Sequence, residues 1–370
     1  MWGCRMKVIQ LLYSGLGGHG SVAFSLIDAD LEAEWTHCLG FIGVEPLLSS
    51  YKNKCREKDI PFKYFPIRKK KSSNSIKEIF IWLKSIKPEA IIVHSSSALI
   101  PSLLYGKLNK VKVVYVEHQA NSLKSKNEWI MSQFAAFFAS NVVVLTNSYL
   151  LELSKKIIMS KKINKIKIIP NGINENKFSY RPEKIISDTN IKLGMSSRLV
   201  KNKSHEKVFE AMNILQKIAP QYHFTFSIAG DGQQIEWLRQ LSSQLGLAQV
   251  IRFEGVLDEA DLIEWYTSLD IYVHYSEAET LSTSLLQAMA IGIPIVASDV
   301  PGINNLLNED EMKDFLFDFY SVNSFANAIL KLINKQNLTV KYRKLRRFRI
   351  ESEYSLNQMF QNYNNLLKKN

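Results

Sequence analysis

Two segments of this sequence combine residue types that bind phosphate groups. Residues 15–20 (GLGGHG) directly follow an apolar run, and glycine lets backbone N–H groups approach a phosphate or a sugar closely. Further along, Arg198 and Lys203 lie between an apolar run and a helix-compatible segment. Two cations in this position can bind a diphosphate and stabilise the negative charge that grows on a nucleoside-diphosphate leaving group. Taken alone, the first segment also fits a tight turn and the second a solvated charge run.

Two further segments carry groups suited to a polar ligand. Gly230-Asp231-Gly232 predicts a turn, with a second anion-facing loop as the alternative. Glu279 lies at the start of a helix predicted from residue 280, and Gln287 follows eight residues later, on nearly the same face. A carboxylate and an amide so placed can bind hydroxyl groups, although an acid in the first turn of a helix is also common as a cap.

Short apolar runs rich in β-branched residues alternate with helix-length segments along the whole chain, which predicts βαβ units and parallel sheets. The predicted strands are 7–13, 90–93, 112–116, 142–145, 165–169, 192–195, 225–229, 250–253, 271–274 and 295–297. The predicted helices include 75–85, 205–218, 233–245, 258–268, 280–291 and 351–368. The expected architecture is α/β with two doubly wound, Rossmann-like domains, residues 1–175 and 176–350, joined near 173–190. Ligands of such sheets bind at the carboxyl ends of the strands, so we expect a site in a cleft between the domains.

The composition fits a cytoplasmic protein with two hydrophobic cores. The chain has 370 residues, of which 46% are hydrophobic. No run of roughly 18 uncharged apolar residues predicts a membrane-spanning helix, and the first residues do not resemble a signal peptide. Cys4, Cys38 and Cys55 lack metal-site spacing and are expected to be free thiols in a reducing compartment.

The excess positive charge lies entirely in the first half of the chain. Residues 1–175 contain 25 Lys+Arg and 13 Asp+Glu, whereas the remaining residues contain 22 of each, out of 47 and 35 in total. This asymmetry predicts that the first domain faces an anionic membrane surface, with a merely solvated basic surface as the alternative. A nucleic-acid-binding protein is the less favoured reading, because the charge is localised and no known nucleic-acid module is present. The candidate membrane-facing residues are Lys69, Lys70, Lys71, Lys155, Lys156, Lys161 and Lys162, the neighbouring Ile157, Ile158 and Met159, and the run 341–349 (KYRKLRRFR).

The four chemical segments, in this order, resemble the family-four class of retaining GT-B glycosyltransferases. The most specific stretches are residues 168–173 (IIPNGI), 198–203, 228–232 (IAGDG) and 276–299. The resemblance implies that Arg198 and Lys203 bind the donor diphosphate and that Glu279, the first acid of an E-x7-E pattern, binds hydroxyls of the transferred sugar. By the same resemblance, the donor site includes Gly17, Gly18, Gly230, Asp231, Thr280, Leu281, Ser282 and Gln287, and His118 in Tyr-Val-Glu-His faces the sugar at the reacting centre.

The sequence departs from that family pattern at three places. Gln287 replaces the second acid, which in the family binds ribose hydroxyls, and a glutamine still accepts and donates there. Thr280-Leu281-Ser282 replaces a glycine-aromatic-glycine loop that shapes the donor-sugar pocket, so the sugar cannot be carried over. Ser204 replaces the usual glycine after the lysine.

The resemblance implies retaining transfer of a hexose or N-acetylhexosamine from a UDP- or GDP-linked donor, without a metal or cofactor. The expected acceptor is a glycan or a polyprenyl-diphosphate-linked molecule in O-antigen or capsule synthesis, at the inner face of the cell membrane. The last helix, 351–370, is expected to pack back on the first domain. Alternatives are a catalytically weak partner subunit, suggested by Gln287, and an epimerase or phosphorylase with the same fold.

Overall fold

A computed structural model describes residues 5–67, 72–157, 164–181, 186, 189–307 and 315–368, with only the backbone of 72–74 and 336–340. Among the predicted membrane-facing residues, Lys69, Lys70, Lys71, Ile158, Met159, Lys161 and Lys162 lie outside the described residues, as does Cys4. The chain divides into two compact units. Unit 1 comprises Met1–Gly172 and Leu356–Asn370, and unit 2 comprises Ile173–Ser355.

Unit 1 is built on a seven-stranded parallel sheet with the strand order β3-β2-β1-β4-β5-β6-β7. Its strands are β1 (Met6–Tyr13), β2 (Trp35–Gly43), β3 (Phe62–Pro66), β4 (Ala90–Val93), β5 (Lys112–Val116), β6 (Asn141–Val144) and β7 (Ile166–Ile168). Its helices are α1 (Gly18–Ala29), α2 (Ser49–Glu57), α3 (Ser72–Ile86), α4 (Leu99–Asn109), α5 (Lys126–Phe138) and α6 (Asn147–Lys156). The central strands are apolar on both faces because helices cover both sides, and the fold expectation is confirmed here.

Unit 2 repeats this plan with six parallel strands in the order β10-β9-β8-β11-β12-β13. They are β8 (Asn190–Ser196), β9 (His223–Ala229), β10 (Ile251–Gly255), β11 (Ile271–His274), β12 (Ile295–Ser298) and β13 (Leu316–Phe317). The helices are α7 (His205–Ile218), α8 (Ile235–Gln244), α9 (Glu259–Ser268), α10 (Thr283–Ile291), α11 (Asn304–Leu307), α12 (Val322–Asn334) and α13 (Gln336–Glu353). In both units the strand order reverses next to the first strand, which is where ligands of doubly wound sheets bind.

The final helix, α14 (Leu356–Leu367), belongs to unit 1 and packs against α1. The indole Nε1 of Trp35 donates to Oδ1 of Asn364 at 3.0 Å, and Lys112 Nζ donates to the Leu366 carbonyl at 3.2 Å. These contacts attach residues from the far end of the chain to the first residues of β2 and β5.

The arginine-rich run 341–349 lies on α13. Most of its arginine side chains contact unit 2 itself, so the prediction that they join the membrane-facing basic surface is wrong. Arg343 is 5% exposed, and its guanidinium donates to the carbonyls of Gly292 and Arg181. Arg347 donates to the carbonyls of Phe178, Ala290 and Glu175 at 2.8 to 3.0 Å. These arginines satisfy carbonyls at the end of α10 and in the chain entering unit 2.

Ile157 was predicted to insert into a membrane, and the structure contradicts this. Its side chain is 9% exposed and packs in the core of unit 1 beneath α6. The adjacent Lys155 and Lys156, by contrast, are exposed. Within the described part of the chain, no helix has both the length and the apolar character needed to cross a membrane.

The carbonyl contacts of Arg347 predict a specific stability effect. The Arg347→Met substitution removes several charge-assisted hydrogen bonds and leaves carbonyls unpaired, so we expect it to lower the free energy of unfolding by about 2–4 kcal/mol. The matched control, Lys344→Met on the same helix, changes an exposed residue and should shift it by less than about 0.5 kcal/mol. Urea unfolding measures both variants, and equal stability for the two would contradict the internal role of the arginine.

Candidate active site

In unit 1, the turn between β1 and α1 contains glycines of two kinds. A Cβ at Gly15 would lie 1.8 Å from Oε2 of Glu45, and one at Gly20 would lie 2.2 Å from the Tyr51 ring, so packing requires both glycines. A Cβ at Gly17 would meet only the His19 ring, at an ordinary 3.4 Å, and one at Gly18 would meet nothing within 4 Å among the described residues. The protein's own packing therefore does not explain Gly17 and Gly18, which open the amino terminus of α1 to close approach.

Three histidines cluster beside this turn. His94 directly follows β4, His118 is the second residue after β5, and His19 lies in the first turn of α1. Nδ1 of His94 is 2.9 Å from Nε2 of His118, and the rings of His19 and His118 have centroids 4.4 Å apart. The carboxyl ends of two adjacent strands and the start of α1 thus bring these side chains together.

The hydrogen-bond partners fix where each proton lies. Gln10 Nε2 donates to the Ala23 carbonyl at 3.4 Å, which turns Gln10 Oε1 toward His94 Nε2 at 3.1 Å. His94 Nε2 must therefore carry the proton, its Nδ1 is an acceptor, and His118 Nε2 must donate to it. His19 Nδ1 donates to the His94 carbonyl at 2.9 Å. A buried chain from Gln10 through His94 thus determines the tautomer and ring orientation of His118.

Burial keeps the rings of His94 and His118 neutral. Desolvation, with a smaller contribution from His19, lowers the pKa of His94 to about 3. Desolvation also lowers the pKa of His118 well below its ordinary value, and the neighbouring His19 and His94 add to the effect.

The loop that carries His118 is held by a buried ion pair. Glu117 Oε2 lies 2.9 Å from Lys124 Nζ, and both side chains are nearly inaccessible. Tyr149 donates to the Gln119 carbonyl at 2.7 Å, and the Lys124 ammonium lies 4.6 Å from the centroid of the Trp129 ring. Breaking such a pair leaves an uncompensated buried charge, so the loop is strongly restrained.

In unit 2, the loop after β8 presents Arg198 to solvent. The backbone N–H of Leu199 donates to the Asp231 carbonyl at 3.0 Å, and a Cβ at Gly230 would meet the Ser197 carbonyl at 1.9 Å. Gly230 also has a φ of +142°, so this position favours glycine for conformational and packing reasons. The Gly230-Asp231-Gly232 turn therefore supports the Arg198 loop from behind. The Arg198 side chain is exposed and makes no hydrogen bond or ion pair with any residue that the structure describes.

Lys203 lies at the end of the short 3-10 turn Lys201–Lys203 and forms an ion pair with Oε1 of Glu279. The same Oε1 accepts from His274 Nε2 at 2.8 Å, and His274 Nδ1 lies 3.2 Å from the Tyr272 hydroxyl. Burial alone would raise the pKa of the Glu279 carboxyl, but the Lys203 ammonium and the His274 N–H outweigh it and hold that pKa well below its usual range. Burial lowers the pKa of His274, so this site pairs a neutral imidazole with an ionised carboxylate.

The second oxygen of Glu279 is the notable feature of this arrangement. Both Lys203 and His274 contact Oε1, and no hydrogen bond or ion pair to Oε2 occurs within the described ranges. The Glu279 side chain remains 13% exposed. An ionised oxygen so placed can accept hydrogen bonds from ligand hydroxyls.

Backbone contacts set the position of Glu279. The Glu277 N–H donates to the Asn202 carbonyl at 2.9 Å, which joins the Lys201–Lys203 turn to the Glu279 loop. Ser298 Oγ lies 2.7 Å from the Ser276 carbonyl and 3.1 Å from the Ser276 nitrogen. Gly302, at φ +86°, lets its backbone approach the Glu279 carbonyl, because a Cβ there would lie 2.3 Å from that oxygen.

The predicted start of the helix after Glu279 is wrong by three residues. α10 begins at Thr283, and the Ser282 hydroxyl caps it by accepting from the Leu285 N–H at 3.3 Å. Glu279 therefore lies in a loop before the cap, and Thr280, Leu281 and Ser282 are buried in that loop.

Gln287 lies on the second turn of α10. Its Oε1 is 3.1 Å from the Tyr266 hydroxyl of α9, so a buried tyrosine orients the amide.

Ser204, which replaces the family's glycine, has φ +43° and ψ +41° and precedes α7. This left-handed conformation is the physical reason why glycine suits the position.

The structure thus brings Lys203 and Glu279 into direct contact and places Gly17 and Gly18 beside the histidine cluster that contains His118. Arg198 and Asp231 share a supporting loop contact through the backbone, whereas Gln287 contacts Tyr266 rather than Glu279. Sequence reasoning missed Gln10, His94, His274 and Gly302. A signal for two of them is present, because His94 and His274 lie at the carboxyl ends of buried parallel strands, where ligands bind.

Comparison with known proteins identifies unit 2. Residues 176–348 match the family model described as glycosyl transferases group 1, a span that contains Arg198, Lys203, Glu279 and Gln287. Over these residues the chain is similar to the glycosyl transferases group 1 family.

Two curated relatives of this chain have names that describe glycosyltransferases. The capsular polysaccharide biosynthesis glycosyltransferase CapM of Staphylococcus aureus is 24% identical over 258 residues, covering 65% of each chain. The UDP-Gal:α-D-GlcNAc-diphosphoundecaprenol α-1,3-galactosyltransferase of Escherichia coli is 24% identical over 287 residues, covering 73% of each chain. Alignments with the first three curated relatives cover 49%, 63% and 65% of those proteins, so the chain spans less than two thirds of their length.

Solved structures show that the fold is GT-B. The Anabaena protein HepE in complex with UDP and glucose matches with a TM-score of 0.81 at 19% identity, covering 98% of this chain and 99% of that one. The expected GT-B fold is therefore confirmed for both units, and the resemblance to group 1 glycosyl transferases is confirmed over residues 176–348.

The proton positions in the histidine cluster predict a distinctive titration. An ordinary histidine with a pKa of about 6.5 is mostly protonated at about pH 5. His94 and His118 should remain neutral there, each with its proton on Nε2. Multiple-bond ¹⁵N–¹H NMR spectra, assigned with the His94→Asn and His118→Asn variants, report both charge and tautomer. Titration of either ring near its ordinary pKa would contradict the buried series of hydrogen bonds from Gln10 through His94 to His118.

Proposed function

We propose that this chain is a retaining glycosyltransferase that moves a hexose or N-acetylhexosamine from a nucleoside-diphosphate sugar to a glycan or lipid-linked acceptor. The observation that carries this proposal is the ionised Glu279 carboxylate, which keeps one oxygen available while Lys203 and His274 hold the other. Such a group accepts hydrogen bonds from sugar hydroxyls, and its negative charge is already balanced by the lysine.

Arg198 is proposed to bind the donor diphosphate together with Lys203 and the amino terminus of α7. The Arg198 guanidinium is exposed and unpaired among the described residues, so it is available to a phosphate without breaking an internal contact. Lys203 Nζ lies 3.4 Å from Ser276 Oγ and also contacts Glu279. We propose that its ammonium lies between the sugar-binding carboxylate and the donor diphosphate. Positive charge here stabilises the departing nucleoside diphosphate.

We propose that the glycine turn and His118 of unit 1 also take part in donor binding. Gly17 and Gly18 leave space at the start of α1, where N–H groups and the helix dipole favour a phosphate. His118 is proposed to face the sugar at the reacting centre, as a neutral ring whose tautomer is fixed by His94. A neutral ring there can hydrogen-bond the sugar without adding a positive charge that would attract water or a second anion.

Gln287 is proposed to bind the ribose of the nucleotide. With its oxygen held by Tyr266, its amide nitrogen is directed to donate a hydrogen bond to a ribose hydroxyl.

We propose front-face displacement without a metal ion or cofactor. The leaving phosphate helps remove the acceptor proton as the new glycosidic bond forms on the face from which the phosphate departs, and Arg198 and Lys203 supply the cationic charge. Asp28 and Asp30 of unit 1 are both engaged in contacts within that unit. Asp28 pairs with Lys58 at 2.6 Å, and Asp30 accepts from the backbone N–H groups of Glu34 and Trp35.

The donor nucleotide is proposed to be uridine diphosphate and the acceptor a polyprenyl-diphosphate-linked molecule in cell-surface polysaccharide synthesis. HepE is described in complex with UDP and glucose, and the name of the E. coli relative includes a diphosphoundecaprenol acceptor. A GDP-linked donor is the other candidate. An acceptor of this kind implies a cytoplasmic enzyme that works at the inner face of the membrane.

The phosphate roles predict the kinetics of two variants. Arg198→Ala and Lys203→Ala should each lower kcat/KM about 100-fold, since each removes charge stabilisation of the leaving group. Lys201→Ala, an exposed lysine in the same turn, is the matched control and should retain normal kinetics. Steady-state assays of nucleoside-diphosphate release measure all three. Unchanged kinetics in both Arg198→Ala and Lys203→Ala would remove the pair from the mechanism.

A further inference from the structure

Helices α4 and α5 of unit 1 expose an unusual number of large apolar side chains. The two helices are adjacent and cover the same face of the sheet, since Leu99 and Tyr105 of α4 share a core with Ala135 of α5. On the opposite, outer side of the helices, exposed fractions run from 38% for Ile100 to 70% for Leu108. The full set, here called the α4–α5 face, is Ile100, Leu104, Leu108, Ile130, Phe134, Phe137 and Phe138.

The spacing of these residues aligns them on one side of each helix, and the two helices are adjacent. Ile100, Leu104 and Leu108 recur every four residues along α4, which aligns them on one side of that helix. On α5, Ile130, Phe134 and Phe137 or Phe138 repeat the pattern. The Phe138 ring lies 5.7 Å from that of Phe134 and 5.3 Å from that of Phe137, centroid to centroid. Contiguous exposed aromatic clusters of this kind mark interaction sites, whereas single exposed apolar residues are ordinary.

Lysines surround the α4–α5 face. Lys107 and Lys110 lie at the end of α4, Lys126 opens α5, and Lys155 and Lys156 end the neighbouring α6. The Gln133 amide of α5 donates to the Lys156 carbonyl at 2.7 Å, so α6 holds its lysines beside α5.

The acidic residues of these helices are engaged elsewhere. α4 contains none, Glu128 of α5 accepts from the Ser125 N–H and hydroxyl in a capping box, and Glu152 of α6 accepts from Asn121. These two glutamates keep their charge, but the five lysines outnumber them, so the net charge around the α4–α5 face is positive.

We propose that the α4–α5 face docks on the surface of an anionic phospholipid bilayer, with its phenylalanines in the boundary between headgroups and acyl chains. Apolar side chains on a helix that lies in the membrane plane, bordered by lysines, match a bilayer in both respects. A second copy of the chain fits less well, because a two-fold contact would place the two lysine borders against each other. This proposal rests on the proposed function for its purpose, which is to present unit 1 to a lipid-linked acceptor.

Sedimentation with vesicles tests the docking directly. The full-length protein is mixed with phosphatidylcholine vesicles that contain from none to about half phosphatidylglycerol, at low and high salt. The wild type should bind more tightly as the anionic fraction rises and less tightly with salt. The double variant Phe134→Ser/Phe138→Ser should weaken binding at least about tenfold at every composition, since it removes the inserted rings. Lys107→Glu/Lys126→Glu should lose mainly the salt-sensitive part.

The control is Leu31→Ser, which removes an apolar side chain that is 90% exposed on the turn after α1, and it should bind vesicles like the wild type. Light scattering of each variant detects self-association. Absence of vesicle binding by the wild type, equal binding by the phenylalanine variant, or a phenylalanine-dependent dimer would each overturn the proposal. Release of nucleoside diphosphate from a soluble donor is measured in parallel. If the wild type and the variants bind vesicles as expected but none of them releases nucleoside diphosphate, the proposed function is contradicted and the docking is not.

Discussion

The burial of one carboxylate explains much of unit 2. An ionised Glu279 next to the end of β11 is costly unless its charge is balanced, and Lys203 and His274 provide that balance through a single oxygen. Contacts of the surrounding backbone hold Lys203 and Glu279 in position. Asn202 ties the lysine turn to the glutamate loop, Ser298 holds Ser276, and Gly302 permits the close backbone approach. The result is a fixed acceptor oxygen beside a fixed cation.

Both units use a buried histidine to orient a neighbouring side chain. Each places a buried neutral histidine at the carboxyl end of a central strand, His94 after β4 and His274 at the end of β11. In unit 1 the histidine orients another neutral ring, and in unit 2 it orients a carboxylate. Histidine suits both tasks because one ring nitrogen donates while the other accepts, so a partner on each side fixes the ring. Preorganised groups of this kind need no rearrangement during the reaction.

The sequence predicts most of the fold because buried parallel strands are short apolar runs, and ten of them were recognisable. β2, β3 and β13 were not, since Gly40 and Gly43 interrupt β2, β3 contains Lys63 and ends at Pro66, and β13 has only two residues. Gly40 is there because a Cβ would lie 2.5 Å from Leu11 and 3.0 Å from Trp82, a packing constraint invisible in one dimension. The same limit applies to the site. Gln10, His94 and His118 meet only after folding, and the buried arginines of α13 resemble a solvated basic run until their carbonyl partners are known.

A sugar-transfer assay tests most directly whether this protein is a retaining glycosyltransferase. The folded protein is incubated with UDP- and GDP-linked hexoses and N-acetylhexosamines and a polyprenyl-diphosphate-linked acceptor, with EDTA present, and nucleoside-diphosphate release and the anomeric configuration of the product are measured. We expect acceptor-dependent release of nucleoside diphosphate from at least one UDP-sugar, with the donor's anomeric configuration kept in the product. Neither release nor nucleotide binding with any donor, from protein with an intact unfolding transition, would contradict it.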